Sequence, residues 1–203
     1  VREPAHRSFP KEMEDWDIER VIKDYADAAE RMIAANLDGF ELQMYGHLID
    51  NFWTPSTARR TADYGGSLEN RMRFGLRILQ EIRKRIGAKP IVGIRIAADE
   101  DWEYGLSHEE GIEICQRFKA SGLIDFLNII KGHIEHDSPL ADVIPVSGMK
   151  AAPHLDFAGE VRTLTKLLKA GDTSLWPALV DQLKVERGYE AALGAALGDD
   201  IDA

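Results

Sequence analysis

The chain has 203 residues, 44% of them hydrophobic and 30% charged, and its 25 basic against 35 acidic side chains leave a net charge of −10. That composition allows one large or two small soluble domains with a real core, and it excludes disorder as the dominant state and any counterion-release drive toward nucleic acid. The single cysteine, Cys115, excludes an intramolecular disulfide framework, a four-cysteine zinc site and an all-cysteine iron–sulfur cluster within this chain, and it fits a reducing, cytoplasmic setting.

Residues 1–11 carry Pro4 and Pro10 with little periodicity, which predicts a loop. From Asp17, read as an N-cap, the residues Ile18, Val21, Ile22, Tyr25, Ala26, Ala29, Met32 and Ile33 recur at threes and fours. That spacing predicts an amphipathic helix. Asp38-Gly39 breaks it, and residues 40–44 are short and strand-like. The following segment contains Pro55 and Gly65-Gly66. Ser67 then caps a second helix with the apolar face Leu68, Met72, Leu76, Leu79, Ile82 and Ile86, which Gly87 ends. After Pro90, residues 91–96 form a β-branched run of the kind buried on both faces. Ser107 with Glu110 forms a capping box that opens a helix through Ile112, Cys115 and Phe118 to Gly122. On that apolar face Cys115 reads as an inert buried thiol. Residues 125–130 are another buried strand. Beyond Asp137 a loop punctuated by Pro and Gly leads to a helix over residues 155–170, then Pro177 and a last small helix ending at Gly198.

Alternating helices and strands with short links predict βα units around a parallel sheet, doubly wound or closed into a barrel, with the chemistry at the carboxyl ends of the strands. Those ends are residues 43–47, 95–99 and 131–136. No run approaches a membrane-spanning length and no charged-then-apolar leader precedes the first helix, so neither a membrane span nor a signal peptide is expected.

The run Tyr64-Gly65-Gly66-Ser67-Leu68-Glu69-Asn70-Arg71, within the segment from Asn51 to Phe74, resembles the signature loop and helix of the old yellow enzyme family of FMN-dependent NADH:flavin oxidoreductases. The likeness takes in Phe9-Pro10, Gly39-Phe40-Glu41 and Gly93-Ile94-Arg95, and extends to residue 162. Within the family it looks closest to the branch around trimethylamine dehydrogenase and the N-methylproline demethylases. The resemblance implies a partial TIM (β/α)8 barrel of about three βα units. It also implies FMN as cofactor and hydride transfer from a small N-methylated amine or amino acid. Arg95 matches the arginine that faces the reduced flavin, whose negative charge a fixed guanidinium stabilises.

The family places two polar residues, commonly His and His or His and Asn, above the flavin after the preceding strand. Here the segment is Gln43-Met44-Tyr45-Gly46-His47, one residue shorter than that pattern. Anchored from the left, Gln43 takes the first position; anchored from the right, Tyr45 falls near the second, and His47 is a further candidate. The three alternate along an extended backbone, which would point them the same way. Gln and Tyr in place of a histidine pair argue against enone or quinone reduction and toward oxidation of a substituted ammonium. Tyr64-Gly65-Gly66 reads as structural, and Arg59, Arg60, Arg71 and Arg73 are expected to pair with acids around the loop. Ala58 and Ala62 stand where the family has Asn and Asp, which removes two loop-pinning side chains. His133, at a strand end, is a candidate substrate-facing residue. The neighbouring Glu135, His136 and Asp137 do not specify a third zinc ligand, so no metal is expected.

From residue 163 onward, Gly188-Tyr189-Glu190 followed by Ala195-Ala196-Leu197-Gly198-Asp199 resembles the coiled-coil exit and start of the hinge of bacterial SMC chromosome-segregation proteins. The chain is therefore read as a partial oxidoreductase barrel over 1–162 joined to a hinge-like fragment over 163–203, a chimera or fragment. The alternative function is a structural, dimerising role of the SMC hinge type. The expected partner is a small-molecule substrate, with nucleic acid reached only through the hinge-like tail and oligomerisation left open. With three of eight strands visible, the chain alone is expected to bind FMN weakly or not at all.

Overall fold

The computed structural model describes residues 9–134, 137–150 and 152–167. The elements are α1 (Asp15–Ala34), β1 (Gly39–Gln43), a 3-10 turn (Asp50–Phe52), α2 (Leu68–Ile86), β2 (Ile91–Asp99), α3 (His108–Ser121), β3 (Phe126–Lys131), α4 (Asp137–Val143) and α5 (His154–Leu167). The strands form one parallel sheet in the order β1-β2-β3. Consecutive parallel strands joined by helices are βα units, and three in succession make part of a (β/α)8 barrel. Of the hinge-like fragment read over 163–203, residues 163–167 form the end of α5, and the readings made beyond Leu167 lie outside the described residues.

Helix ends follow local chemistry. Ser67 Oγ accepts from the Asn70 N–H at 3.3 Å and Ser107 Oγ from the Glu110 N–H at 3.3 Å, while Gly87 and Gly122 close their helices with φ of 75° and 67°. The start of α1 differs from expectation. Glu14 is the N-cap, and Asp17, three residues in, returns its carboxylate to the Glu14 N–H at 3.1 Å, completing a reciprocal box. The predicted box at Ser107 is used in one direction, because the Glu110 carboxylate takes the Arg71 guanidinium. Two further differences concern length. β2 runs on to Asp99, and α4 forms where a loop was expected, with Pro139 near its start where a missing N–H costs little. Seven residues are too few for helical periodicity to show in a sequence.

The core lies between the sheet and its helices. Leu42, Met44, Val92, Ile94, Ile96, Ala98 and Ile129 face Ile18, Ile22 and Ala26 of α1, Met72, Ile78, Leu79 and Ile82 of α2, and Ile114, Cys115 and Phe118 of α3. α3 approaches β2 so closely that a Cβ on Gly111 would stand 1.6 Å from the Ala98 carbonyl oxygen. The opposite parity carries Glu41, Gln43, Arg95 and Asn128, the face that a barrel turns inward. β2 is buried along most of its length, whereas β3 buries only Ile129 and so departs from the predicted strand buried on both faces. β1 and β3 are the margins of the described sheet, which leaves their inward side chains partly open.

Candidate functional site

Register assembles the centre of the site. Gln43 pairs with Arg95 across β1 and β2, and Arg95 with Asn128 across β2 and β3, so the three form one inward row near the carboxyl ends. One step below, Glu41 lies opposite Gly93. Asn128 Nδ2 donates to Glu41 Oε2 at 2.8 Å, reaching across the middle strand, and Glu41 Oε1 holds Arg95 Nη2 at 2.7 Å. Gly93 leaves room for the Phe126 ring, since a Cβ there would stand 2.0 Å from it. The result is a guanidinium fixed at one corner by a carboxylate that is itself fixed by an amide. Arg95 Nε is buried and has no hydrogen-bond partner among the described residues, while the side chain as a whole remains 40% exposed. A rigid cation with an uncommitted donor at a strand end suits an anionic or carbonyl-rich heterocycle edge, so this donor set fits the pyrimidine edge of a flavin.

The exit from β1 does not continue as an extended strand. β1 ends at Gln43, whose exposed amide donates to the Tyr45 carbonyl at 3.3 Å. Gly46 has φ +74° and Leu48 φ +57°, so the backbone turns sharply, and the predicted alternation that would aim Gln43, Tyr45 and His47 in one direction does not hold. Gln43 and His47 are exposed, Tyr45 is half-buried and Met44 is in the core. The three candidates are thus gathered on one turn rather than along one strand face. Beneath that turn the Gly46 N–H donates to Asp50 Oδ2. Asp50 is 3% exposed, its other carboxylate oxygen has no partner among the described residues, and burial with the nearby Glu100 pushes its carboxyl up to about 7.

Past β2, Glu100 is 1% exposed and fully used: Oε1 accepts from the Thr54 hydroxyl at 2.7 Å and Oε2 from the Leu106 N–H at 2.7 Å. His133, just past β3, is 6% exposed, with Nε2 3.9 Å from Glu100 Oε1 and its ring beside Trp102. The structure encloses His133 beside Glu100 and Trp102 rather than leaving it open to the strand mouth. Glu135 and His136 lie outside the described residues, and among the described residues no three His, Cys, Asp or Glu side chains converge as a metal site.

Aromatic packing and hydrogen bonds tie the signature segment to its helices. Phe52 stacks on Phe74 at 4.3 Å and meets Tyr64 edge-on at 5.9 Å, while Trp53 meets Phe118 edge-on at 5.8 Å. The Tyr64 hydroxyl accepts from Arg77, which pairs with both oxygens of Glu19 on α1. A Cβ on Gly65 would fall 1.6 Å from the Arg60 carbonyl oxygen, and Gly66 has φ +74°, so the paired glycines are required. The arginines differ from expectation. Arg71 does pair with an acid, Glu110, and also donates to the Trp53 carbonyl. Arg60 donates to the Met13 carbonyl and lies over the Phe52 ring, and Arg73 donates to Asn70 Oδ1. In place of the side chains absent at Ala58 and Ala62, backbone bonds hold the loop: Ala58 N–H to Thr54 O at 2.8 Å, Gly65 N–H to Ala62 O at 2.9 Å and Ser56 N–H to Tyr104 O at 3.1 Å.

Parallel βα units with an arginine held near the carboxyl end of the middle strand are the build of part of a (β/α)8-barrel mouth. A family model described as NADH:flavin oxidoreductase / NADH oxidase matches residues 2–136, and the chain belongs to that family. It is 58% identical over 164 residues to a Rhizobium meliloti (strain 1021) protein named "Probable N-methylproline demethylase", covering 81% of this chain and 24% of that protein. It is 39% identical over 168 residues to the N,N-dimethylglycine/sarcosine dehydrogenase of Chromohalobacter salexigens, covering 82% and 24%. A solved 2-naphthoyl-CoA reductase in complex with 2-naphthoyl-CoA superimposes with a TM-score of 0.73 at 30% identity, over 81% of this chain and 24% of that one. The chain therefore spans about a quarter of the length of these curated relatives. No helix among the described residues is long and apolar enough to cross a membrane.

Glu41, Asn128, Asp50 and Glu100 escaped the sequence reading as site residues. Equal inward parity of Glu41 and Arg95 in adjacent strands was available as a signal. The Asn128 contact depended on register, and the Asp50 contact on a turn that no motif announces.

Proposed function

We propose that this chain supplies the first βα units of an FMN-dependent oxidoreductase that removes hydride from small N-methylated amines or amino acids. The observation that carries the reading is Arg95, held by Glu41, which Asn128 holds in turn, with Nε left over. The two curated relatives, named for N-methylproline and for dimethylglycine or sarcosine, support the substrate class. FMN, when bound, would supply the hydride acceptor. Arg95 would hold a positive charge toward its pyrimidine edge, which would favour the reduced form. The turn bearing Gln43, Tyr45 and His47 presents an amide, a phenol and an imidazole to the substrate. It has no histidine pair with which to polarise an enone oxygen, and its aromatic side chain suits a substituted ammonium. Oxidation at the N-methyl carbon leaves an iminium, which water splits to formaldehyde and the demethylated amine. Among the relatives named above none is a chromosome-segregation protein, and no observation among the described residues favours the hinge-type alternative.

The test is anaerobic: the complete FMN-loaded oxidoreductase to which this chain is proposed to contribute its first βα units is mixed with N-methylproline, sarcosine or dimethylglycine, and flavin absorbance and formaldehyde are followed. Bleaching with equimolar formaldehyde is expected. Absence of bleaching by every N-methyl substrate, with rapid reoxidation of dithionite-reduced protein by 2-cyclohexenone, would refute the substrate class and favour an ene-reductase.

A further inference from the structure

A carboxylate buried beneath a functional turn, committed at one oxygen and unpartnered at the other, needs a reason to be there, because an unsatisfied buried polar atom is costly. Asp50 is such a group. Its Oδ2 accepts the Gly46 N–H, its Oδ1 has no partner among the described residues, and the side chain is almost wholly enclosed. The bond it makes is placed at the residue where the chain reverses. Gly46 has φ +74° and separates Tyr45 from His47, and Leu48 follows at φ +57°, a conformation that a leucine adopts only when its surroundings impose it. Asp50 also anchors the segment that follows, since its carbonyl accepts from the Trp53 N–H at 2.9 Å and the Thr54 N–H at 2.8 Å. Thr54 then passes the connection on through its hydroxyl to Glu100, which His133 approaches from β3.

We propose that Asp50 is a positioning residue that takes up and releases a proton beneath the β1 exit, its carboxylate form drawing in the Gly46 N–H and thereby fixing Tyr45 and His47, so that the turn tightens as pH rises. Its relevance to substrate rests on the reading of that turn given above; the proton-linked turn itself does not. The titratable and charged groups facing Asp50 are few. Glu100, from the end of β2, is a like charge, and Tyr25, from α1, is a phenol whose own ionisation is pushed up by burial and by Asp50. Burial and the neighbouring carboxylate both favour the protonated acid. The backbone N–H groups of Gly46, Asn51 and Asp50 itself favour the anion. This opposition brings the titration into the neutral range, with the midpoint near 7. A charged acceptor makes a shorter, stronger bond to N–H than a neutral carboxyl does. Protonation therefore loosens the turn without unfolding it.

The test needs no flavin. Backbone amide resonances of Gly46 and His47 are followed by nitrogen-edited NMR from pH ~5 to ~9 in the wild-type chain and in Asp50→Asn, which retains an acceptor oxygen but cannot titrate. The Gly46 amide proton is expected to move downfield with a midpoint near 7 in wild type and to stay flat in Asp50→Asn. Corrected for intrinsic rates, Gly46 amide exchange should slow by about tenfold from the acid to the alkaline limit. A Glu100→Gln variant, which removes the like charge, should lower the midpoint. A merely structural Asp50 would leave the wild-type Gly46 resonance independent of pH, and that result overturns the proposal, as does an unchanged titration in Asp50→Asn. If Gly46 titrates as described while no N-methyl substrate bleaches the complete FMN-loaded oxidoreductase, the catalytic reading of the turn fails and the proton-linked turn stands.

Discussion

Asp50 also makes a quantitative demand on stability. Its carboxyl rises from 3.8 to about 7 on folding, chiefly through burial. At ~1.4 kcal/mol per unit, the difference sets an upper bound of about 4 kcal/mol on its linkage to folding. The sign follows from proton counts. Below pH 3.8 the acid is protonated in both states and the folded chain is not penalised. As pH rises toward 7 the unfolded chain releases its proton while the native chain retains it, so stability falls across that window and the loss is complete above it. Asp50→Asn removes the slope, because an amide is neutral throughout. Urea unfolding of both proteins at several values between pH ~4 and ~8 isolates the effect, since every other titrating group is shared. The difference in unfolding free energy should drift in favour of Asp50→Asn as pH rises, by a few kcal/mol. Parallel stability curves across that range would show that Asp50 is not buried as an acid and would refute the reasoning.

Two further outcomes test the packing around the sheet. Gly111→Ala should destabilise the chain by about 3 kcal/mol or more, because the Cβ would stand 1.6 Å from the Ala98 carbonyl oxygen and neither backbone can yield without moving α3 off β2; a urea midpoint equal to wild type would contradict this contact. Cys115 is fully buried and desolvation pushes its thiol up to about 12, so an aromatic disulfide reagent at mildly alkaline pH should label it only as fast as the chain opens. Immediate labelling of the native protein would place the thiol outside the core.

Much of the scaffold was legible because its signals are local. Ser67, Gly87, Ser107 and Gly122 each act within one helical turn, and each occupies the predicted end. The β-branched run beginning at Ile91 identified β2 because both of its faces are largely buried. The site was less legible, for reasons of range. Arg95 was found through its motif, but the Asn128–Glu41–Arg95 chain depends on the register of three strands separated by helices. The β1 exit was misjudged as extended because Leu48 gives no sign in the sequence of its left-handed backbone, which the fold imposes. His133 drew notice as a histidine at a strand end, yet its surroundings, Glu100 and Trp102, come from another strand exit. Asp50 drew no notice, since a lone acid in a loop ordinarily faces water.

The central claim is that Arg95, held by Glu41, is the flavin-facing cation of this barrel segment. Equilibrium titration of the chain with FMN, followed by quenching of flavin fluorescence, tests it most directly alongside Arg95→Ala and Glu41→Gln. Saturable but weak binding is predicted for wild type, because three strands offer only one edge of the cofactor's surroundings. Arg95→Ala should weaken it by about tenfold or more, the worth of a charge-assisted hydrogen bond, and Glu41→Gln by less. Identical titrations for wild type and Arg95→Ala would contradict the account.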